Sequence, residues 1–374
     1  MKPDRSGGLF FRLLANKQDL TDKVRQRLFS LQYTDGAGVE SDMLEIVLVD
    51  DDPAMPIEVP PAGAELQLDL GYQLAHRDMG LFIVDEIEVA GYPCALVIRG
   101  RAAPFTESKM GKNAMQTQKN RSWEKGYSLQ KMLETIAKEH GLEPKISPSM
   151  AGILLPHIDQ KEESDLNFLL RICRKYDAVL KPGGGKLIIT KRGEALSASG
   201  EKLPTVTINR EDVLSFRMSQ KKRDSAGTVI SYYKPSKKAA RYEVKVGNGE
   251  PVKRIGTLYP SKDMAVEAAK AEWNSRQRDE TELNISLMGW PELMAEMIAE
   301  VQGVHSAADG KWLVKTCAHR MGDGGYTTDL TMELPNADKP PEVTERELKS
   351  PKVGKKDEGL DDDGPAGVIT LPAS

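Results

Sequence analysis

Leu155-Pro156-His157-Ile158-Asp159-Gln160, with the run behind it, decides how this chain is read. Glu162, Glu163, Ser164 and Asp165 follow, a cluster of capping and acidic residues suited to the positive end of a helix. Leu166, Leu169, Leu170, Cys173 and Tyr176 then recur at the three-and-four spacing that gives a helix one apolar face. Arg171, Arg174 and Lys175 fall in its last turns, where cations meet the negative end of the dipole. Residues 177–181 and 186–190 read as two short strands, turned at Pro182-Gly183-Gly184-Gly185. Ahead of the stretch, Ser128 caps a second helical run with Leu129, Met132, Leu133, Ile136 and Ala137, and Gly141 stops it. Residues 105–200 are therefore expected to form a small mixed module of helix and hairpin, with its linker.

On either side the period shifts from helix to strand. In the N-terminal direction lie an apolar opening at 9–14, a strand within 22–33 entered from a polar loop, and a turn at Thr34-Asp35-Gly36-Ala37-Gly38. Leu44, Ile46 and Leu48 then alternate, as do Leu66, Leu68, Leu70 and Tyr72. Residues 71–80 read as a loop, and 81–90 and 95–101 as two more strands. Short strands at regular spacing predict a small sandwich or barrel over residues 1–104. In the C-terminal direction, 205–208 and 213–218 restart the β pattern, and 261–277 is a helix with Met264, Ala268 and Ala271 on one side. Leu283, Ile285 and Leu287 alternate, 293–301 is read as a strand, and a hairpin turns at Gly322-Asp323-Gly324-Gly325. Residues 201–336 thus form a second β unit carrying one helix. Residues 337–374 hold nine acids, six bases and five prolines, too few apolar groups to offset the entropy of ordering, and are expected to be a disordered tail.

The 374 residues predict two or three domains. A net charge of −4 and 29% charged residues announce neither nucleic acid nor a membrane surface. Cys94, Cys173 and Cys317 stand far apart and read as buried thiols of a reducing compartment. The first residues lack the apolar core of a secretory signal, and no apolar run approaches membrane length, so synthesis in cytoplasm without a membrane anchor is expected.

Asp50-Asp51-Asp52 lacks the alternating spacing of a calcium loop and reads as a solvated turn. Cys317 and His319 share a strand face without further ligands, and His157, Asp159 and Glu162 fit a hydrogen-bonded turn better than a metal site. Pro182 to Lys186 lacks phosphate-loop spacing and runs into a strand. Between Arg217 and Arg241 eight bases face one acid, around Tyr232 and Tyr233; because 227–233 is itself strand-like, these charges belong to loops, and sequence-specific nucleic-acid binding is not expected. No serine sits in a nucleophile elbow. Neither a catalytic residue, a cofactor nor a metal ligand is assigned.

The central run resembles the hallmark of the late control protein D family of contractile-tailed phages, carried here by Pro156, His157, Asp159, Ser164, Asp165 and Phe168. Residues 22–24, 28–38, 40–42, 44–46, 84–88, 98–102, 195–200 and 325–328 agree in order and spacing. The resemblance implies a mainly β fold: two tail-tube-like barrels with a mixed α+β module inserted between them, similar to the front half of type VI secretion (VgrG) spike proteins. It implies a non-enzymatic baseplate hub in the virion tail, or in a phage-derived tail-like particle, three copies forming a ring that joins the tail tube to a central spike, with the tape-measure protein as a further neighbour. Unlike those spike proteins, this chain shows no needle after residue 335, so the needle is expected to be a separate polypeptide. Two other readings stay open here, an effector-delivery adaptor of a secretion system and a tail-associated cell-wall hydrolase.

Overall fold

The computed structural model describes residues 2–37, 42–52, 54–59, 61, 63–102, 115, 117–183, 185–195, 201–221, 227–235, 240–336 and 341–348. Most of the β structure belongs to a single 13-stranded sheet. Its strands lie in the order Val213–Gln220, Thr281–Met288, Gly325–Glu333, Gly310–Gly322, Leu28–Gly36, Met43–Val49, Ala95–Ala102, Ala75–Ala90, Glu65–Tyr72, Leu9–Ala15 and Gln18–Asp19. Ile298–Gln302 pairs beside Gly310–Gly322 and carries Val206–Asn209 in parallel. A short helix, α1 (Thr21–Arg25), follows the edge.

The alternation expected from sequence sets which way each strand faces. Leu31, Leu44, Ile46, Leu66, Leu68, Leu70 and Phe82 meet in the core of an N-terminal lobe, and Leu283, Ile285, Leu287, Trp290, Trp312 and Met332 in that of a C-terminal lobe. The lobes are fused where Gly310–Gly322 pairs with Leu28–Gly36, placing His319 opposite Tyr33 and Met321 opposite Leu31. The fold is mainly β, as expected. The two expected barrels are instead two lobes of one continuous sheet, and no pairing among the described residues closes either lobe on itself.

Between the lobes lies a mixed module with helices α2 (Leu129–Glu139), α3 (Pro148–Ala151) and α4 (Asp165–Lys175). Ser128 and Ser164 cap α2 and α4, each hydroxyl accepting a backbone N–H three residues on. The helices bury Leu129, Leu133, Ile136, Phe168, Leu169 and Ile172 against Leu180, Leu187 and Ile189 of the hairpin Ala178–Gly183 and Lys186–Lys191.

Several expectations need correction. Residues 71–80 are not a loop: a two-residue turn at Gln73 and Leu74 joins Glu65–Tyr72 to Ala75–Ala90. Gly71 allows it: at φ +151° a Cβ would sit 2.3 Å from the Ala75 carbonyl. Only Ile298–Gln302 of the expected strand 293–301 forms a regular ladder; Leu293, Ala295 and Met297 are buried as their alternation suggested, and Glu296 at φ +66° interrupts the strand while its N–H and the Met297 carbonyl still bond the Val314 backbone.

The unit expected over 201–336 is also two bodies. Thr228–Tyr233, Arg241–Gly247 and Val252–Tyr259 leave the lobe as a separate sheet backed by α5 (Lys262–Glu280), with its own core of Val229, Tyr233, Val244, Val246, Ala265 and Ala269. The fourth strand of that sheet is Val343–Leu348, within the segment expected to be disordered. A sheet edge supplies backbone partners that composition alone does not reveal, so a largely polar hexapeptide is ordered by its ladder against Arg241–Gly247. Residues 349–374 lie outside the described residues.

Candidate functional site

The central motif is a strand, not the turn expected from sequence. Ile158–Ser164 pairs antiparallel with Gln118–Trp123, itself missed within a polar, basic stretch. The register shifts between Gln160 and Glu163, where Glu162 takes φ +47°. Gln160 and Ser164 are buried on either side of this bulge, and helix α4 begins at Asp165.

The motif residues divide into two groups. Phe168 is fully buried, stacked on Trp123 at 5.9 Å between centroids, with the Arg171 guanidinium 5.2 Å from its ring. Ser164 caps the helix that carries it. His157 and Asp159 face solvent: Ser122 donates to Asp159 Oδ1 at 2.7 Å, which holds that carboxyl below its ordinary range, and His157 Nε2 lies 3.3 Å from both. Glu162 stands apart, its backbone N–H donating to Asn120 Oδ1. Pro156 and Ile158 line a cleft of about 170 Å³ shared with Ile172, Tyr176, Leu258 and Met264, where the motif faces α5.

Asp165 is the hub of the buried polar network. Its fully buried carboxylate accepts from Lys119 Nζ at 2.6 Å, His140 Nε2 at 2.7 Å and Gln160 Nε2 at 2.9 Å, and pairs with Arg121. Lys119 and Arg121 also reach Glu139 at 2.8 and 2.7 Å. Burial pushes the Asp165 carboxyl up, but the bonds from Lys119, Gln160 and His140 and the charge of Arg121 outweigh it and hold the pKa below its ordinary value. The same carboxylate therefore ties α2, α4 and the strand pair together.

Glu139, His140 and Asp165 offer ligand atoms within 4.8 Å of one another. A cation there would compete with Lys119 and Arg121, which already neutralise both carboxylates at hydrogen-bond distance, so the arrangement suits an ion-paired lock rather than a metal centre. Cys317 and His319 are buried in the seam between lobes. His319 Nδ1 meets the Tyr326 hydroxyl at 2.8 Å and Nε2 meets the Leu293 carbonyl at 3.1 Å, while Cys317 Sγ lies 3.3 Å from Nε2. Burial drives the thiol well above its ordinary pKa and the imidazole down to about 4, so both are neutral near pH 7 and the thiolate a metal requires is disfavoured. We expect the purified protein to carry no stoichiometric zinc, and Cys317→Ser or His319→Gln to change stability alone. One equivalent of zinc by elemental analysis, lost in either variant, would refute this.

Two further charge clusters, unmarked in the sequence, join the bodies. Lys181 of the central module reaches Asp35 at 2.7 Å and Asp42 at 3.2 Å, and Asp35 also accepts the backbone N–H of Ala295 from the C-terminal lobe. Arg278 of α5 donates to Asp177 at 2.9 Å and Asn336 at 2.7 Å and lies 3.3 Å from Glu333, which Arg192 also meets at 3.0 Å. The available signal was weak: Lys181 and Asp35 are 146 residues apart and Arg278 and Asp177 101 apart, and Arg278 sits among other charges in its helix.

Comparison with known proteins agrees with this architecture. The phage tail baseplate hub (GPD) family model matches residues 111–325, the span of the central module and most of the C-terminal lobe. The probable baseplate hub protein of Escherichia phage 186 is 32% identical, covering 88% of this chain and 93% of its own length. This chain belongs to the phage tail baseplate hub family. The probable baseplate hub protein of Escherichia phage P2 is 30% identical over 87% of this chain and 92% of its own. A 43 kDa tail protein of prophage MuSo2 from Shewanella oneidensis shares the fold, with TM-score 0.66 at 12% identity over 88% of this chain and 99% of that one. As a baseplate hub protein the chain works in the virion tail, in a family whose role is structural.

Proposed function

We propose that three copies of this hub protein form a closed ring around a channel, one side meeting the tail tube and the other a separate spike polypeptide, without enzymatic activity. The observation that supports the ring is the open sheet. Among the described residues the strand Val213–Gln220 pairs only with Thr281–Met288, and it exposes Leu214 and Phe216 at 56% and 41%. The two-residue strand Gln18–Asp19 ends the sheet at its other extreme. An uncovered edge with apolar side chains is an association surface, and a heterologous contact between opposite ends closes on itself when the rotation is cyclic. In this reading Pro156, His157, Asp159, Ser164, Asp165 and Phe168 are structural: Ser164, Asp165 and Phe168 hold the central module, Pro156 lines the cleft beside α5, and His157 and Asp159 form an exposed cluster with Ser122. The tape-measure protein is a further expected neighbour within the tail. Light scattering with and without the spike protein, followed by cryo-microscopy of assembled tails, tests the stoichiometry. Three copies per hub ring is the expected result; six copies, or none, would sink it.

A further inference from the structure

Two charged surfaces of this chain are near mirror images. On the small sheet, the face turned away from α5 carries Arg241, Lys245, Arg254 and Arg346 around one carboxylate, Glu243. Arg254 and Arg346 lie 3.7 and 3.5 Å from Glu243 yet are 60% and 72% exposed, while Glu243 is 14% exposed, so the outward charge is positive. Arg241 stacks on Tyr232 at 4.2 Å and Arg254 donates to its hydroxyl at 2.9 Å, which holds these cations on the face instead of leaving them free in solution.

The N-terminal lobe shows the reverse. Ala75–Ala90 and Ala95–Ala102 extend as an arm in which one guanidinium, Arg99, serves three carboxylates, Glu45, Glu86 and Glu88, at 2.7, 3.0 and 3.1 Å. Arg99 is 28% exposed and Glu86 and Glu88 are 61% and 51% exposed, and the arm's other cation, Arg101, is paired with Asp85 at 2.9 Å, so the outward charge is negative. The arm ends in Val89 and Tyr92, 66% and 96% exposed. Beside the basic face, Val252 and Leu258 on the free edge of the small sheet are likewise exposed.

Among the described residues no hydrogen bond or ion pair joins these two surfaces within one chain. The small sheet is inserted between Val213–Gln220 and Thr281–Met288, at one end of the strand order, whereas the arm strands lie toward the other. Opposite ends are what a head-to-tail contact between copies joins. We infer that the arm of one copy docks on the basic face of the small sheet of the next, Glu86 and Glu88 against Arg254 and Arg346, with Tyr92 and Val89 against Leu258 and Val252. This rests on the ring reading above and names its contact. Four cations gathered around one acid, opposite three acids gathered around one cation, give complementary potentials that set register and disfavour like ends meeting.

The test is a charge swap in the full chain. Arg254→Glu with Arg346→Glu, or Glu86→Lys with Glu88→Lys, should each weaken trimer formation about a hundredfold or more in sedimentation equilibrium. The fourfold variant carrying both reversals should restore it to within about tenfold of wild type. Where a reversal variant fails to fold by circular dichroism, Arg254→Gln with Arg346→Gln replaces it and should make assembly less sensitive to salt. A second readout mixes isotopically light and heavy wild-type chains with a carbodiimide, and the expected product is a light-to-heavy link from Lys245 to Glu86 or Glu88. A trimer indifferent to both reversals, with Lys245 linked elsewhere, overturns the contact while leaving the ring intact. Absence of any trimer, with or without the spike protein, defeats the ring reading itself. A single-stranded oligonucleotide that binds wild type and the arm variant alike, but not the basic-face variant, would assign the face to phosphates and also overturn it.

Discussion

Asp165→Ala is expected to unfold the central module while the two-lobed sheet survives. The substitution removes the acceptor shared by Lys119, Arg121, His140 and Gln160 and leaves their charge and donors unmatched in the interior. Breaking such a pair by deleting one partner costs about 3–5 kcal/mol, more than the pair contributes against an apolar replacement, because the stranded groups keep their desolvation penalty. Asp165→Asn keeps one acceptor oxygen but turns an amide N–H₂ toward donors, so a loss of about 1–3 kcal/mol is expected. Urea denaturation followed by tryptophan fluorescence should show an early transition from Trp123, whose ring stacks on Phe168, ahead of the one from Trp290 and Trp312 in the C-terminal lobe. Hydrogen exchange should show protection lost over 118–191 and kept in Leu28–Gly36 and Met43–Val49. An Asp165→Ala midpoint equal to wild type would show that the network stabilises nothing.

The second large effect is expected at the joint of Asp35, Asp42 and Lys181. Asp35 and Asp42 are 6% and 13% exposed, so Lys181→Met leaves two neighbouring buried carboxylates without a cation. Lys181 is itself 37% exposed and water softens the loss, which places the expected cost near 3 kcal/mol, at the lower end for a broken buried pair.

The same joint gives a pH signature. Burial, and then the charge of Asp35, push the Asp42 pKa up to about 7, while the charge and hydrogen bond of Lys181 outweigh burial and hold Asp35 below its ordinary value. The folded protein therefore keeps a proton on Asp42 that the unfolded chain releases near its ordinary pKa of 3.8. Stability falls as pH rises from about 4 to about 7 and is level above that, as far as Asp42 is concerned. Asp42→Asn should be more stable than wild type at pH 8 and show a shallower slope across that window. The slope should not vanish, because burial also raises Glu296 and Glu333. Thermal melts at half-unit pH steps check this; an Asp42→Asn slope as steep as wild type would place the proton elsewhere.

What could be read from the chain itself followed from local chemistry. Ser128 and Ser164 announced their helices because an N-cap hydroxyl satisfies a backbone donor three residues on, whatever the rest of the fold does. Leu44-Ile46-Leu48 and Leu66-Leu68-Leu70 announced their strands because a pleat sends alternate side chains to one core. The family motif was legible as a hallmark, but not as a bulged strand, since its partner Gln118–Trp123 is polar and announces nothing alone.

Sequence by itself therefore determined the β-rich class, the central helix-and-hairpin module and membership of the hub family. Only the tertiary structure decided that the two lobes share one sheet, because the pairing of Leu28–Gly36 with Gly310–Gly322 links residues almost three hundred apart and no local signal encodes a partner. It also decided that Val343–Leu348 is a strand, since a free sheet edge supplied the backbone hydrogen bonds that its own composition could not. The buried charges belong to the same class. Asp35, Asp165 and Arg278 look like ordinary surface residues in the chain, and they are stable inside only because distant segments bring the opposite charge to within hydrogen-bond distance.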